Sequence, residues 1–165
     1  MPEIIFDNCV LSNFALSDSL NLIKHLYSNT SYITDLVMVE NLRGVIKGHQ
    51  ELAKIREAVK EGWLREITLD SIEEKTLFEA LCVSLGFGEA SAIAAAKSRG
   101  LVFACDDRAA RREAVLLGVK LTGTIGILAK AVRRKLIKPK RADEILRRMI
   151  TLGFYSPIHS IREVL

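Results

Sequence analysis

The sequence is poor in cysteine, histidine and long apolar runs, and each shortage excludes a class of protein. Its three cysteines (Cys9, Cys82 and Cys105) are scattered without CxxC spacing, which argues against a disulfide framework and against a structural zinc site. No apolar run reaches the roughly 18 residues of a membrane span, and the N-terminus has no basic and apolar signal region. We therefore expect a cytoplasmic protein that has no contact with a membrane and suits reducing conditions.

The sequence also lacks internal repeats, low-complexity tracts and linkers rich in Pro, Gly or Ser. Its 165 residues are 49% apolar, which is enough to build one packed core. We therefore expect a single domain that spans residues 1–165. The net charge of +4 is mildly basic, so it permits a polyanionic partner without requiring one.

Short strands alternate with helices along the chain, a pattern typical of a parallel sheet covered on both faces. Strands are predicted over residues 3–6, 31–34, 67–69, 101–104 and 119–121. Helices are predicted near Ser12, after Ser17 or Asp18, over 36–42, 48–62, 71–85, 125–136, 139–152 and 155–165, and in the stretch described next. The expected fold is a three-layer α/β/α sandwich whose short parallel sheet has four to five strands.

The stretch from residue 85 to residue 112 reads as helix, strand and helix, with an acid at each junction. Glu89 follows two glycines at the start of one helix, Gly100 ends that helix, and Asp106 and Asp107 follow the next strand. Acids in the first turn of a helix are favoured by its dipole, and an Asp after a strand is an ordinary helix cap. A capping role therefore remains open for Glu89 and Asp107.

The acids of the chain are expected to meet at one edge of the sheet. Asp7 follows the first strand and Asp106 and Asp107 follow the fourth, and sites in parallel sheets form at the carboxyl ends of strands. Glu40 and Glu89 lie on helices that can lean over this edge. Two carboxylates about 4 Å apart repel by roughly 4 kcal/mol at an effective dielectric constant of 20, so such a group takes up a proton or a divalent cation. Oxygen ligands suit Mg²⁺ or Mn²⁺, which activate water against a phosphodiester.

Five motifs occur in order along the chain. They are IIFD (4–7), VMVE (37–40), LGFGEASAI (85–93), DDRAAR (106–111) and TGTIG (122–126). With these motifs the chain resembles the PIN-domain family, most closely a toxin-like ribonuclease branch. The first two motifs are weak by themselves, whereas the last three at this spacing are specific.

The resemblance implies an endoribonuclease that depends on Mg²⁺ or Mn²⁺ and cleaves single-stranded RNA. Such proteins are often the toxin of a toxin–antitoxin pair, so a cognate antitoxin and a homodimer are the implied partners. The implied metal ligands are Asp7, Glu40, Glu89 and one acid of the pair Asp106 and Asp107. The family's T-x-D pattern aligns with Cys105 and Asp107, which favours Asp107 and makes Asp106 an alternative or supporting acid.

Several alternatives stay open on the residues alone. Asp7 fits a structural turn or cap, and Glu40 fits an ordinary solvated helix residue. The cations Arg108, Arg111 and Arg112, and those between Arg133 and Arg141, fit either a solvated face or a phosphate-binding surface. The second hypothesis for function is a catalytically weak PIN-fold module that binds RNA or protein, because many PIN domains have Asp where this chain has Glu89. The isolated cysteines beside the acids, Cys9 and Cys105, are predicted to be small core residues.

Overall fold

The computed structural model describes residues 2–165, which form a five-stranded parallel sheet between two layers of helices. The strands are β1 (Ile4–Phe6), β2 (Ser31–Thr34), β3 (Leu64–Ile67), β4 (Val102–Ala104) and β5 (Leu121–Thr122). Their order in the sheet is β3-β2-β1-β4-β5, and every pairing is parallel. The predicted three-layer α/β/α sandwich with a short parallel sheet is therefore confirmed.

The helices alternate with the strands in the expected way. They are α1 (Asn8–Leu16), α2 (Leu20–Tyr27), α3 (Asp35–Ile46), α4 (Ala53–Glu61), α5 (Ile72–Leu81), α6 (Phe87–Arg99), α7 (Arg108–Leu116), α8 (Thr124–Arg133) and α9 (Pro139–Thr151), with short 3₁₀ helices at Gln50–Leu52 and Ile161–Val164. In the part of the chain that the structure describes, no helix is both long enough and apolar enough to cross a membrane.

The sheet separates two apolar cores, and alternate residues of its strands serve one core or the other. Ile4, Phe6 and Ile33 pack against α1 to α4, α8 and α9, whereas Ile5 and Phe103 pack against α5, α6 and α7. All three residues of β1 are buried, as expected for the central strand of a parallel sheet covered on both faces.

The order in which strands are added reverses between β1 and β4, a position here called the strand reversal: β2 and β3 follow on one side of β1, and β4 and β5 on the other. In open α/β sheets, the crevice beside the carboxyl ends of the strands at such a reversal is where ligands bind. Asp7 follows β1 and Asp106 follows β4 within two residues. The fold therefore places both predicted aspartate positions at this crevice.

Two predicted helix starts were wrong. Helix α1 begins at Asn8 rather than near Ser12, because Asp7 is already its N-cap. Helix α2 is preceded by Ser19 rather than capped by Ser17 or Asp18. Ser17 Oγ donates to the carbonyl of Asn13 at 2.8 Å and lies 2.6 Å from the hydroxyl of Ser19, so Ser17 closes α1 instead.

Other boundaries shift for local reasons. Helix α3 continues through Gly44, where a Cβ atom would lie 2.6 Å from Leu52 Cδ1, so this glycine serves close packing rather than helix termination. Strand β3 lies at 64–67 rather than 67–69, because Leu64 pairs with Ser31. The capping box at Ser71 and the left-handed end of α6 at Gly100 (φ 66°) are confirmed. The helix predicted over 155–165 is irregular over 155–160 and forms only the 3₁₀ helix at Ile161–Val164.

Candidate metal-dependent active site

Asp7 is held where β1 ends and α1 begins. Its N–H donates to the carbonyl of Ala104 at 2.9 Å, which ties the end of β1 to the end of β4. It occupies the N-cap of α1, where its carboxylate accepts from the N–H of Asn8 but makes no capping hydrogen bond further into the helix. The carboxylate is 1% exposed, and the buried thiol of Cys105 lies 3.8 Å from its Oδ2. A purely capping role therefore does not explain this side chain.

Glu40 is joined to the start of α6. The backbone N–H of Gly88 donates to Glu40 Oε1 at 3.2 Å. A Cβ atom at residue 88 would overlap the Glu40 carboxylate, with Cδ at 2.7 Å, so only glycine permits this approach. Glu40 is half-buried and held by the backbone, which does not fit a freely solvated helix residue.

A hydroxyl pair locks α3 and α6 together beside this contact. The Ser91 and Thr34 hydroxyls lie 2.7 Å apart, and Ser91 Oγ also donates to the carbonyl of Gly88 at 2.7 Å. Thr34 is the N-cap of α3 and accepts from the N–H of Val37 at 3.2 Å. The first turns of the helices that carry Glu40 and Glu89 are thus fixed relative to one another.

The neighbouring acids Asp106 and Asp107 have different partners. Asp106 Oδ1 accepts from the N–H of Thr124 at 2.9 Å, and its Oδ2 accepts from Thr124 Oγ1 at 2.6 Å and Asn13 Nδ2 at 3.3 Å. Asp107 Oδ2 accepts from the N–H of Ala110 at 2.9 Å, so the capping role considered for Asp107 is real. Asp106 is therefore anchored to α8 and α1, whereas Asp107 caps α7 and also hydrogen-bonds to the carboxyl group of Glu89.

The carboxylates perturb one another. Burial raises the pKa of Asp7 to about 6, and the charges of Glu40 and Asp107 add to this. Burial also raises the pKa of Glu89 to about 7, with further contributions from Asp7 and Asp107. The pKa of Glu40 is raised by burial as well, despite the Gly88 hydrogen bond. Asp7, Glu40, Glu89 and Asp107 thus form one electrostatically coupled cluster, here called the acidic cluster.

No ion pair described among residues 2–165 includes an acid of this cluster, and the charge of Arg43 only partly offsets the raised pKa of Glu40. Arg111, one of the cations next to the acids in sequence, donates instead to the carbonyls of Cys105 at 2.6 Å and Thr122 at 3.1 Å. It therefore holds β4 to β5, whereas Arg108 and Arg112 are exposed.

Carboxylate oxygens are the donors that Mg²⁺ and Mn²⁺ prefer, and a bound cation would offset the burial and the mutual repulsion of these acids. Across residues 2–165, however, no group of three or more His, Cys, Asp or Glu side chains has the geometry to hold a metal ion as it stands. The donor chemistry of the acidic cluster fits a divalent cation, and binding would require these side chains to draw closer.

The two glycines of the TGTIG motif allow close packing between neighbouring elements. A Cβ atom at Gly126 would lie 2.6 Å from Thr122 Oγ1, and one at Gly123 would lie 2.6 Å from Asp106 Oδ1. The motif thus brings α8 against β5 and against Asp106.

Several features of the site were not found by sequence reasoning. The contact of Gly88 with Glu40 and the bonds from Thr124 to Asp106 join residues far apart in the chain. Tyr155, which lies beside the aspartates, gave no signal because its segment was predicted to be helical. Of the two cysteines expected in the core, Cys105 is buried but Cys9 is exposed, so the prediction for Cys9 was wrong.

The fold and the acidic cluster together define an α/β/α protein with a carboxylate site at the strand reversal of a parallel sheet. A family model for DUF3368, described as a PIN domain, matches residues 3–165. The chain belongs to the PIN-domain family, whose members are generally nucleases. No curated protein matches the sequence.

A solved structure has a similar fold. It is VapBC2 from Rickettsia felis, bound to a DNA fragment from its promoter. The two chains are 17% identical, with a TM-score of 0.53 over 73% of this chain and 97% of the other. At this identity the likeness supports the fold alone.

Proposed function

We propose that this PIN domain is an endoribonuclease that depends on Mg²⁺ or Mn²⁺ and cleaves single-stranded RNA, and that it is the toxin of a toxin–antitoxin pair. The observation that carries the proposal is the acidic cluster, in which four carboxylates meet at the strand reversal and take part in no ion pair described for residues 2–165. Strongly perturbed acids in a crevice are the usual sign of a functional site. Membership of a family of nucleases supports the same conclusion.

In this proposal Asp7, Glu40, Glu89 and Asp107 hold the divalent ion. When bound, such an ion makes water a stronger nucleophile and neutralises charge on the phosphate. Asp106 has a different role, because both of its oxygens already accept hydrogen bonds from Thr124 and Asn13. It positions these two polar side chains at the rim of the acidic cluster and serves as a supporting acid.

The residues around the ligands keep them in place. The Gly88 N–H holds Glu40, and the Ser91 hydroxyl fixes the turn from which Glu89 projects. Burial and the charge of Asp7 raise the pKa of the Cys105 thiol, so it stays neutral beside that carboxylate. Glu89, whose pKa is about 7, exchanges a proton near neutral pH when no cation is bound. These contacts pre-organise the oxygen donors on rigid elements.

The proposed partners and compartment follow from the similar structure, the family and the free cysteines. A cognate antitoxin is proposed because the similar structure from Rickettsia felis is a VapBC complex, although that likeness alone shows only the fold. A homodimer is proposed from the family resemblance. Cytoplasmic action is proposed because all three cysteines are free, which suits a reducing compartment.

Incubation of the purified protein with a labelled single-stranded RNA tests the proposal. Cleavage should appear with Mg²⁺ or Mn²⁺, disappear with EDTA, and be much weaker on the same sequence annealed into a duplex. Cleavage that continues in EDTA would contradict the metal-dependent mechanism. Absence of cleavage with every divalent ion would contradict the nuclease function.

The second candidate is a catalytically weak module that binds RNA or protein through the same fold. One observation favours it: no group of acids among the described residues already has metal-binding geometry. RNA binding that is insensitive to EDTA, together with no cleavage under any divalent ion, would select this candidate.

A further inference from the structure

The irregular segment between α9 and the last 3₁₀ helix is anchored at both ends. The N–H of Phe154 donates to the carbonyl of Met149 at 2.9 Å, and Ser156 Oγ donates to the carbonyl of Ile158 at 2.7 Å. The side chains of Phe154 and Ile158 pack against the core. The turn after α9 uses Gly153 at φ 115°, a conformation that favours glycine. This segment is therefore a fixed part of the surface.

Tyr155 lies between these anchors and is 90% exposed. It lines two adjacent cavities, of about 570 Å³ and about 480 Å³, and Asp106 lines both as well. The larger cavity is also bordered by Asn13, Asp107 and Arg108. An anchored segment thus displays a free aromatic ring at the border of the acidic cluster.

The larger cavity has three features that match a nucleotide. Its volume lies within the range of small-molecule sites. Tyr155 offers an open ring face, and base–aromatic stacking is the sequence-tolerant contact of proteins that bind single strands. Arg108 is exposed and takes part in none of the ion pairs described for residues 2–165, so its guanidinium is available to a phosphate. Asp107, at the same cavity, belongs to the acidic cluster.

We propose that this cavity is a nucleoside subsite, in which Tyr155 stacks on an unpaired base next to the cleaved phosphodiester and Arg108 contacts the adjoining phosphate. The inference rests on the proposed nuclease function, and it adds a residue that determines how the substrate is held. Tyr155 is a substrate-positioning residue that requires unpaired bases, because a base within a duplex cannot leave its neighbours to stack on a side chain without a cost in free energy.

A single exposed apolar residue is common on protein surfaces and needs no explanation by itself. Comparison with Val83 distinguishes an ordinary exposed apolar side chain from one that lies at a binding site. Val83 is also 90% exposed, but it lines neither of the two cavities beside the acids. Substitution of Val83 is therefore the matched control for loss of an exposed apolar side chain.

The test measures RNA binding apart from cleavage. Binding of a labelled single-stranded RNA of about 12 nucleotides is followed by fluorescence anisotropy in EDTA, and cleavage of the same RNA is followed with Mn²⁺. Tyr155→Ala should weaken binding by roughly 5- to 100-fold, while Tyr155→Phe should stay within about twofold of wild type because it keeps the ring. Val83→Ala should bind like wild type. In cleavage, Tyr155→Ala should raise KM more than it lowers kcat.

A second series locates the stacked base. Replacing single nucleotides of the RNA by abasic residues should weaken binding to wild type most at one position, and this position should make little difference to Tyr155→Ala. Equal affinity of wild type and Tyr155→Ala, with cleavage intact, would overturn the subsite and leave the nuclease function standing. Affinity that depends on Tyr155 without any cleavage would support the subsite and overturn the nuclease function. A wild-type protein that binds no RNA would overturn the subsite.

Discussion

Two buried carboxylates in this protein, Glu74 and Asp7, have pKa values that are shifted in opposite directions. Glu74 is 2% exposed and accepts from Arg99 Nε at 2.8 Å and from the N–H groups of Asp70 at 2.8 Å and Ser71 at 3.2 Å. Burial alone would raise its pKa, but these donors outweigh burial and lower it to about 2. Asp7 is equally buried and its pKa is raised to about 6.

The difference separates structural from functional acids. At Glu74 the fold supplies a cation and a capping box, so the charge is fully satisfied within the protein. At Asp7 and Glu89 it supplies other acids, which costs stability. Such a cost is expected where a site is arranged for a ligand that brings the missing positive charge. The four predictions that follow test this contrast, from the largest expected effect to the smallest.

The largest effect is expected in catalysis. Asp7→Asn should lower the rate of RNA cleavage by at least about 1,000-fold, because loss of a metal ligand removes several kcal/mol of transition-state stabilisation. The control is Asp70→Asn, which changes a carboxylate that is 79% exposed and outside the acidic cluster, and should cleave at the wild-type rate. Near-wild-type cleavage by Asp7→Asn would remove Asp7 from the mechanism.

Glu74→Gln should destabilise the protein by about 3 kcal/mol at pH 7, since the pKa of Glu74 falls from 4.5 to about 2 on folding. A depressed pKa stabilises the fold fully above about pH 4.5, and this stabilisation is lost as the pH falls toward 2. The difference in the free energy of unfolding between variant and wild type, measured with urea, should therefore shrink as the pH falls from about 4.5 toward 2. Asp70→Asn, which affects the exposed partner of Arg99, should cost under about 1 kcal/mol. Equal destabilisation by Glu74→Gln and Asp70→Asn would contradict a structural role for the buried Glu74 carboxylate.

In urea unfolding, removal of a charge from the acidic cluster should raise the free energy of unfolding, whereas Glu74→Gln lowers it. Asp7→Asn should stabilise the metal-free protein by about 3 kcal/mol at pH 8, because the pKa of Asp7 rises from 3.8 to about 6 on folding. A raised carboxyl pKa makes wild-type stability fall as the pH rises through this interval. The gain should therefore be nearly absent at pH 3.5. Destabilisation by Asp7→Asn at pH 8 in EDTA would mean that the carboxylate is structural.

The smallest effect concerns the backbone contact of Glu40. Gly88→Ala should lower cleavage by roughly 10-fold, because its methyl group would displace the Glu40 carboxylate. Gly86→Ala is the matched control two residues away, where a Cβ atom meets nothing within 4 Å. Cleavage assays on both variants, with circular dichroism to confirm folding, would show whether the position of Glu40 matters. Equal activity would exclude Glu40 from the ligand set.

The main architecture and the approximate position of the site could be predicted from local pattern. The alternation of strands and helices predicted the three-layer sandwich. Asp7 and Asp106 follow strand ends, which a parallel sheet brings to one edge. Asp106 and Asp107 could not be told apart, because their roles depend on partners in distant segments. Thr124 and Asn13 bind one of them, and the first turn of α7 binds the other.

Contacts between distant elements account for the other misses. Nothing in the residues around Glu40 shows that Gly88 will lie against it, since 48 positions separate them. The start of α1 was misplaced because Asp7 serves both as N-cap and as a member of the acidic cluster. Tyr155 was assigned to a helix, whereas the anchoring of Phe154 and Ile158 in the core holds its segment irregular.

Calorimetric titration of Mn²⁺ into the metal-free protein tests the central claim most directly, namely that the acidic cluster is unpaired because it binds a divalent cation. We predict saturable Mn²⁺ binding to wild type, with protons released at pH 6.5 as Asp7 and Glu89 lose theirs, and no such binding to Asp7→Asn. Wild-type protein that binds no Mn²⁺, or an Asp7→Asn variant that binds it equally well, would contradict the account.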